Sequence, residues 1–205
     1  MTPATPVADP SHGLLAKSFL GLSRLAAVFA LLLVLAWKAE PTLLDIWIGL
    51  PFVMAGGLLR TWSAGYLLKT RELAITGPYA HTRNPLYLGR LLLLTGFGIM
   101  ARLPYMANLV VLAAGLLIFF LYYMPRKERV ECERLRQAHG EPYNLYEAAV
   151  PALFPRLSPY RGPGGGAGGW HWSRFSRNRE YLMLLMEAVL VALFAARALG
   201  HLSVG

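Results

Sequence analysis

Long apolar runs limit what this chain can fold into more than any other feature. A bilayer core about 30 Å thick is crossed by a helix of roughly 20 mostly apolar residues. Five stretches approach that length: about Phe19 to Trp37, Leu43 to Leu68, Leu86 to Met100, Tyr105 to Met124 and Tyr181 to Leu199. The second contains Gly49-Leu50-Pro51 and Gly56-Gly57, which predict breaks in that helix. Only 15% of the 205 residues are charged and 56% are hydrophobic, against about 25% charged in a soluble domain. Such hydrophobicity excludes global disorder. The single cysteine, Cys132, excludes an intrachain disulfide framework and a cysteine-based zinc site. The polar lead Met1 to Gly13 before a full-length first run reads as a tail rather than a cleaved signal. The expected class is all-α: a polytopic bundle of about five transmembrane helices with a cytoplasmic ligand-binding segment.

Basic residues flank these runs unevenly. Lys17, then Lys69, Arg71 and Arg83, then ten Lys and Arg from Arg126 to Arg179 fall on one side. Lys38 and Arg102 fall on the other. The positive-inside rule therefore predicts a cytoplasmic N-terminus. The same asymmetry accounts for the net charge of +9 without nucleic acid, which needs a basic face on a soluble fold. Arg24, Arg60 and Arg90 fall within or at the rims of runs, where charges snorkel or face the bundle interior; the first, second and third are each expected to reach the cytoplasmic rim. Tyr66, Tyr105, Tyr122 and Tyr123 read as interfacial aromatics.

Two stretches look water-facing. In the first, Gly77-Pro78 signals a turn, and Asn84-Pro85 reads as a helix start with Asn as cap and Pro in the first turn. The exposed N–H groups of such an end suit an anion. In the second, Arg126 to His139 predicts a charged helix lying on the membrane surface, ended by Gly140. Lys127 and Glu131 share one face, and Glu128, Cys132 and Leu135 share another. The five histidines show no zinc spacing, and no nucleophile-elbow, Walker or dinucleotide glycine motif occurs. Gly162 to Gly169 reads as a flexible linker. The expected organisation is a tail over 1–18, a four-span core with its cytoplasmic helix over 19–160, a Gly-rich basic linker over 161–180, and a C-terminal membrane helix over 181–205.

Gly77-Pro-Tyr-Ala-His-Thr-Arg-Asn-Pro-Leu-Tyr-Leu-Gly89 resembles one signature of the isoprenylcysteine carboxyl methyltransferase family, and Glu131, Leu135, His139-Gly140, Tyr143, Tyr146, Val150-Pro151 and Pro155 resemble the other. Phospholipid methyltransferases share the pattern, and membrane sterol reductases share parts of it. The resemblance spans about residues 45 to 157. It implies an integral membrane methyltransferase using S-adenosylmethionine, with a hydrophobic, lipid-like or prenylated acceptor presented as a carboxylate or amine at the cytoplasmic interface. By position it implies cofactor contacts at Leu73, Ala74, Tyr79, Asn84, Pro85, Leu86, Tyr87 and Glu131. Lys127 falls where ester-forming members carry a substrate-contacting arginine, which implies a catalytic role. This chain departs from the pattern at Arg71, Asn84, Lys127, Cys132 and His139.

The residue types suit such chemistry. In-line displacement from a sulfonium needs alignment and electrostatics more than a strong base. Glu131 would accept from the cofactor's amine or ribose, Tyr79 and Tyr87 would pack on its base or sulfonium, and Lys127 would orient an acidic substrate. The expected partners are membrane lipids and a lipid-like acceptor, with no nucleic acid and no metal, and the C-terminal helix is where a homodimer would form. The competing classes are an NADPH-dependent membrane reductase and a non-catalytic membrane protein on the same scaffold.

Overall fold

Every regular element among the described residues is a helix. The computed structural model describes residues 37–67, 72–163 and 168–200. The expected first span lies outside them except for Trp37, as do Lys69, Arg71 and residues 164–167 of the glycine run. The elements below belong to one unit that starts at Ala39.

Helix α1, Leu43–Tyr66, is opened by a reciprocal cap. The Asp45 amide donates to Thr42 Oγ1 at 3.3 Å, and the Thr42 amide donates to Asp45 Oδ2 at 2.8 Å; together they satisfy two of the donors a helix start leaves free. Pro51 sits inside this helix, which runs through all 24 residues. The expected breaks are therefore absent. The glycines serve the approach of helix α2, Pro85–Met100. A Cβ on Gly49 would lie 2.6 Å from the Gly96 carbonyl oxygen, and one on Gly56 would lie 2.8 Å from that of Gly89. Pairing 49 with 96 and 56 with 89 makes the two helices antiparallel, with backbones in contact along one seam. Small residues at such crossings let membrane helices pack by van der Waals contact.

Helix α3, Ala107–Ile118, passes through a π-helical turn, Phe119–Tyr123, into helix α4, Met124–His139. Helical dihedrals persist at Ile118 and Tyr123, so the charged helix is a continuation of the fourth span rather than a separate surface element. A π turn often marks a functional site in a helix; here it places Phe119 in the core and Tyr123 toward Tyr87. Gly140, at φ 58°, ends α4 as expected and leads into helix α5, Glu141–Ala149. Helix α6, Trp172–Arg177, and helix α7, Glu180–Ala198, complete the chain.

Among the described residues, three helices are long and apolar enough to cross a membrane: Leu43–Tyr66, Pro104–His139 and Glu180–Ala198. Helix α2 is apolar but shorter. The chain is an integral membrane protein built as an α-helical bundle.

Residues 168–178 dock on α1. Trp170 Nε1 donates to the Thr61 carbonyl, the His171 amide to Gly65, and Asn178 Nδ2 to Ala64 and Leu67. Those to Ala64 and Gly65 take up two of the carbonyls that the end of α1 leaves without intrahelical partners. Helix α7 then packs back on α1. At the same end, the chain after α5 runs beside the 79–84 turn: the Arg83 amide donates to Pro151, Thr82 Oγ1 to Leu153, the Arg156 amide to His81 and the Tyr160 amide to Ala80. Beneath it lies a core of Leu73, Ile75, Cys132, Tyr143, Tyr146 and Val150.

Candidate functional site

The two motif stretches meet. A cavity of about 470 Å³ opens between the 73–87 segment and the face of α4. Leu73, Ala74, Tyr79, Asn84, Pro85, Leu86 and Tyr87 line one side, and Lys127 and Glu131 line the other. All nine residues singled out from the sequence therefore border one chamber. Its size falls in the range of about 300–1,000 Å³ that small-molecule sites occupy.

Local structure differs from the capping expectation. Asn84 stands at the N-cap position of α2, but its side chain makes no cap. Its Nδ2 instead donates to Glu128 Oε2 at 2.8 Å and to the Ala152 carbonyl at 2.9 Å. The carboxylate is the stronger acceptor, since bonds to charged groups are worth about twice neutral ones. Asn84 is thus a clamp joining the turn, α4 and the segment after α5. Tyr79 is buried, and Tyr146 donates its hydroxyl to the Tyr79 carbonyl at 2.8 Å. Burial pushes the Tyr79, Tyr143 and Tyr146 hydroxyls well above the ordinary phenol range, so all three stay neutral.

Most of the charges on the wall are paired. Lys127 Nζ lies 2.9 Å from Glu131, which Arg134 also reaches at 2.7 Å. Arg83 bridges Glu128 at 2.6 Å and Glu147 at 3.1 Å. Burial works against the charge on Arg83, but its neighbours, Glu128 foremost, outweigh it and raise its pKa. Arg60, expected at the rim, is buried, and its Nη2 meets both oxygens of Glu180 at 2.6 and 2.9 Å while Nη1 donates to the Leu86 carbonyl at 3.2 Å. Cys132 donates to Glu128 at 3.3 Å, which makes the shared face of Glu128 and Cys132 a contact.

Sequence reasoning missed Arg60, Arg83, Glu128 and Glu180 as cavity-lining groups. Arg83 and Glu128 could have been found: one precedes Asn84 in the motif, and the other lies one turn before Glu131. Arg60 and Glu180 are 120 positions apart, and no local pattern joins them. Among the described residues no three His, Cys, Asp or Glu side chains gather as a metal site requires.

Comparison with known proteins redirects the functional reading. A cobalt-zinc-cadmium resistance protein, CzcN, from Cupriavidus metallidurans is 39% identical over 123 residues, covering 58% of this chain and 52% of that protein. A nickel-cobalt-cadmium resistance protein, NccN, from Alcaligenes xylosoxydans xylosoxydans is 29% identical over 170 residues, covering 78% of this chain and 76% of that protein. The chain thus spans about half the length of the first and three quarters of the second. No family model and no solved structure matches.

These relatives overturn the expected activity. Both are named for metal resistance and neither for transfer of a methyl group. The reading as an S-adenosylmethionine-dependent methyltransferase with a lipid-like acceptor is corrected accordingly, and with it the enzyme class and the catalytic role given to Lys127. What the structure supports for Lys127 is an ion pair with Glu131 on the cavity wall.

Proposed function

We propose that this chain is a membrane component of resistance to divalent transition metals and that it works through an organic ligand held in its cavity. The observation that carries the reading is the pairing of the cavity's acids. Glu72, Glu128, Glu131 and Glu180 each have a guanidinium or ammonium within 3.8 Å. A carboxylate neutralised in this way is a poor ligand for a hard or borderline cation, because its lone pairs are already engaged. The names of the two relatives support the link to metal tolerance.

The walls suit a small zwitterion with an apolar or aromatic body. Arg60 and Arg83 both line the cavity, and each keeps a buried Nε without a partner among the described residues. Their guanidinium groups give the wall a positive side toward an incoming anionic group. A cationic group would compete with Lys127 and Arg134 for Glu131. Leu73, Ala74, Leu86 and the rings of Tyr79 and Tyr87 supply the apolar surface. S-adenosylmethionine, the compound that the motif resemblance implies, has this character and is the first ligand to test. The distribution of Lys and Arg supports a cytoplasmic N-terminus and a cavity open to the cytoplasm.

Two measurements test the reading. Expression in a metal-sensitive host should raise tolerance to cobalt, zinc or cadmium salts, and Glu131→Gln should lower that gain. Unchanged tolerance with the wild-type chain would remove the resistance role. Calorimetric titration of detergent-purified protein with S-adenosylmethionine should show saturable binding that Glu131→Gln weakens about tenfold; no heat from the wild type would remove that ligand.

A further inference from the structure

The cavity wall holds five cationic side chains and four carboxylates. Arg60, Arg83, Lys127 and Arg134 each pair with an acid. Arg90 does not. Among the described residues its contacts are the Tyr123 hydroxyl, at 3.4 Å from Nη1, and the face of the Tyr87 ring, 5.5 Å from the guanidinium carbon. Tyr87 and Tyr123 in turn meet edge to face at 5.8 Å. Both tyrosines leave the guanidinium's charge uncompensated. An Arg fork matches phosphate or carboxylate oxygens in pairs, and an unpaired one within a membrane-embedded helix is costly unless it faces an anion or water.

Position narrows the choice of anion. Arg90 is exposed and lies five residues after Pro85, about 7.5 Å along α2 from its start. One turn further on the same face stands Leu94, which is 41% exposed. Leu94 approaches Gly115 of α3, and Tyr123 of the π turn, 37% exposed, stands beside Tyr87, while Phe120 stacks on Phe154. In an integral membrane protein, exposed apolar surface of this kind faces acyl chains. The result is an amphiphile-shaped track, with a cation and two ring faces at the cavity end and apolar side chains beyond it.

We propose that Arg90, with Tyr87 and Tyr123, binds the phosphate of an anionic phospholipid whose acyl chain lies over Leu94. A net negative headgroup is favoured over a zwitterionic one by the surroundings. The carboxylates that would attract a choline or ethanolamine cation are already held by other side chains. The inference does not depend on which organic ligand fills the rest of the cavity, because its test reads bound lipid and not ligand heat or metal tolerance.

The full-length protein is equilibrated with mixed detergent micelles of phosphatidylglycerol and phosphatidylcholine and weighed intact by native mass spectrometry. Wild type should retain phosphatidylglycerol at least fivefold over its share of the mixture. Arg90→Gln should abolish the preference, Arg90→Lys should keep part of it, and Arg102→Gln, at the opposite end of α2, should leave it intact. Equal retention by wild type and Arg90→Gln, or no preference in wild type, overturns the inference. Loss of the bound lipid on adding millimolar inorganic phosphate assigns the site to a small anion and also overturns it. Should Arg90→Gln not fold, a photoactivatable phosphatidylglycerol on the wild-type protein decides: labelling within residues 87–94 or 119–123 supports the site, and labelling confined elsewhere refutes it.

Discussion

Helices α1 and α2 are held together in two different ways along their length. Around Gly49, Gly56, Gly89 and Gly96 the seam is backbone against backbone, with Val53 and Leu93 filling the space between. Near the cavity the same two helices are joined through a long buried side chain, Arg60, which reaches the Leu86 carbonyl on α2 and Glu180 on α7. The seam depends on shape and tolerates no added volume. The cavity end depends on charge pairing wherever its side chains are buried, as at Arg60 and Glu180. The contrast suits a molecule that is rigid in the bilayer and keeps its polar groups at one end for a ligand.

The sharpest way to break the comparison is to remove one charge where pairing rules. Glu180→Ala leaves the Arg60 guanidinium buried with the Leu86 carbonyl alone, and loss of one partner from a buried pair costs about 3–5 kcal/mol. Thermal unfolding in detergent should show the largest drop of any single substitution named here, and the double variant Arg60→Met, Glu180→Met should recover most of it. A drop below about 1 kcal/mol would mean that the pair is open to water and that the two ends are held alike. Truncation before residue 168 should reproduce the Glu180→Ala loss, because it removes the same acid together with the bonds of Trp170, His171 and Asn178 to α1.

Next in size is a substitution that leaves charge alone and adds volume. A Cβ on Gly56 would stand 2.8 Å from the Gly89 carbonyl and 3.1 Å from the Leu93 amide, both backbone and both unable to swing away. Gly56→Val should therefore cost about 1–3 kcal/mol by overpacking. Gly140→Ala provides the contrast: no atom lies within 4 Å of its Cβ position, and any loss there comes from the positive φ of 58° alone. Equal effects at the two glycines would mean that the seam is looser than its distances imply.

What could be read in advance followed from range. The Lys127–Glu131 pair, the stop at Gly140 and the start at Pro85 depend on spacing within one turn, and each is present. Gly49-Leu50-Pro51 was misread because break rules weigh the lost hydrogen bond and not the helix packed alongside; Gly96 across the seam repays the glycine, and the helix continues through Pro51. Asn84 was misread because a carboxylate 44 positions on outcompetes the local amides for its side chain. The nine motif residues do converge, so their spacing carried the location of a cavity. It did not carry the use: the relatives are named for metal resistance, which the same side-chain pattern leaves open.

The smallest expected effect concerns the outer layer of the charged end, where pairing is partly open to solvent. Arg136 grips Glu147 through Nε and Nη2, each at 2.9 Å, and Arg83 approaches at 3.1 Å. Burial alone would raise this carboxyl, but the hydrogen bonds from Arg136 and the charges of Arg136 and Arg83 outweigh it and hold it below the ordinary glutamate range. A carboxyl that titrates lower when folded than when unfolded adds stability that is complete above its unfolded pKa and disappears as pH falls through the folded value. Wild-type protein should therefore lose part of its unfolding temperature as pH drops out of the ordinary glutamate range. Glu147→Gln should start lower at neutral pH and show a shallower decline across that interval. Because one fifth of the Glu147 side chain and nearly half of Arg136 face solvent, the difference should shrink as salt is raised. A slope in Glu147→Gln equal to wild type would assign the acid sensitivity to other carboxylates, with Glu128 under Arg83 and Asn84 the next to substitute.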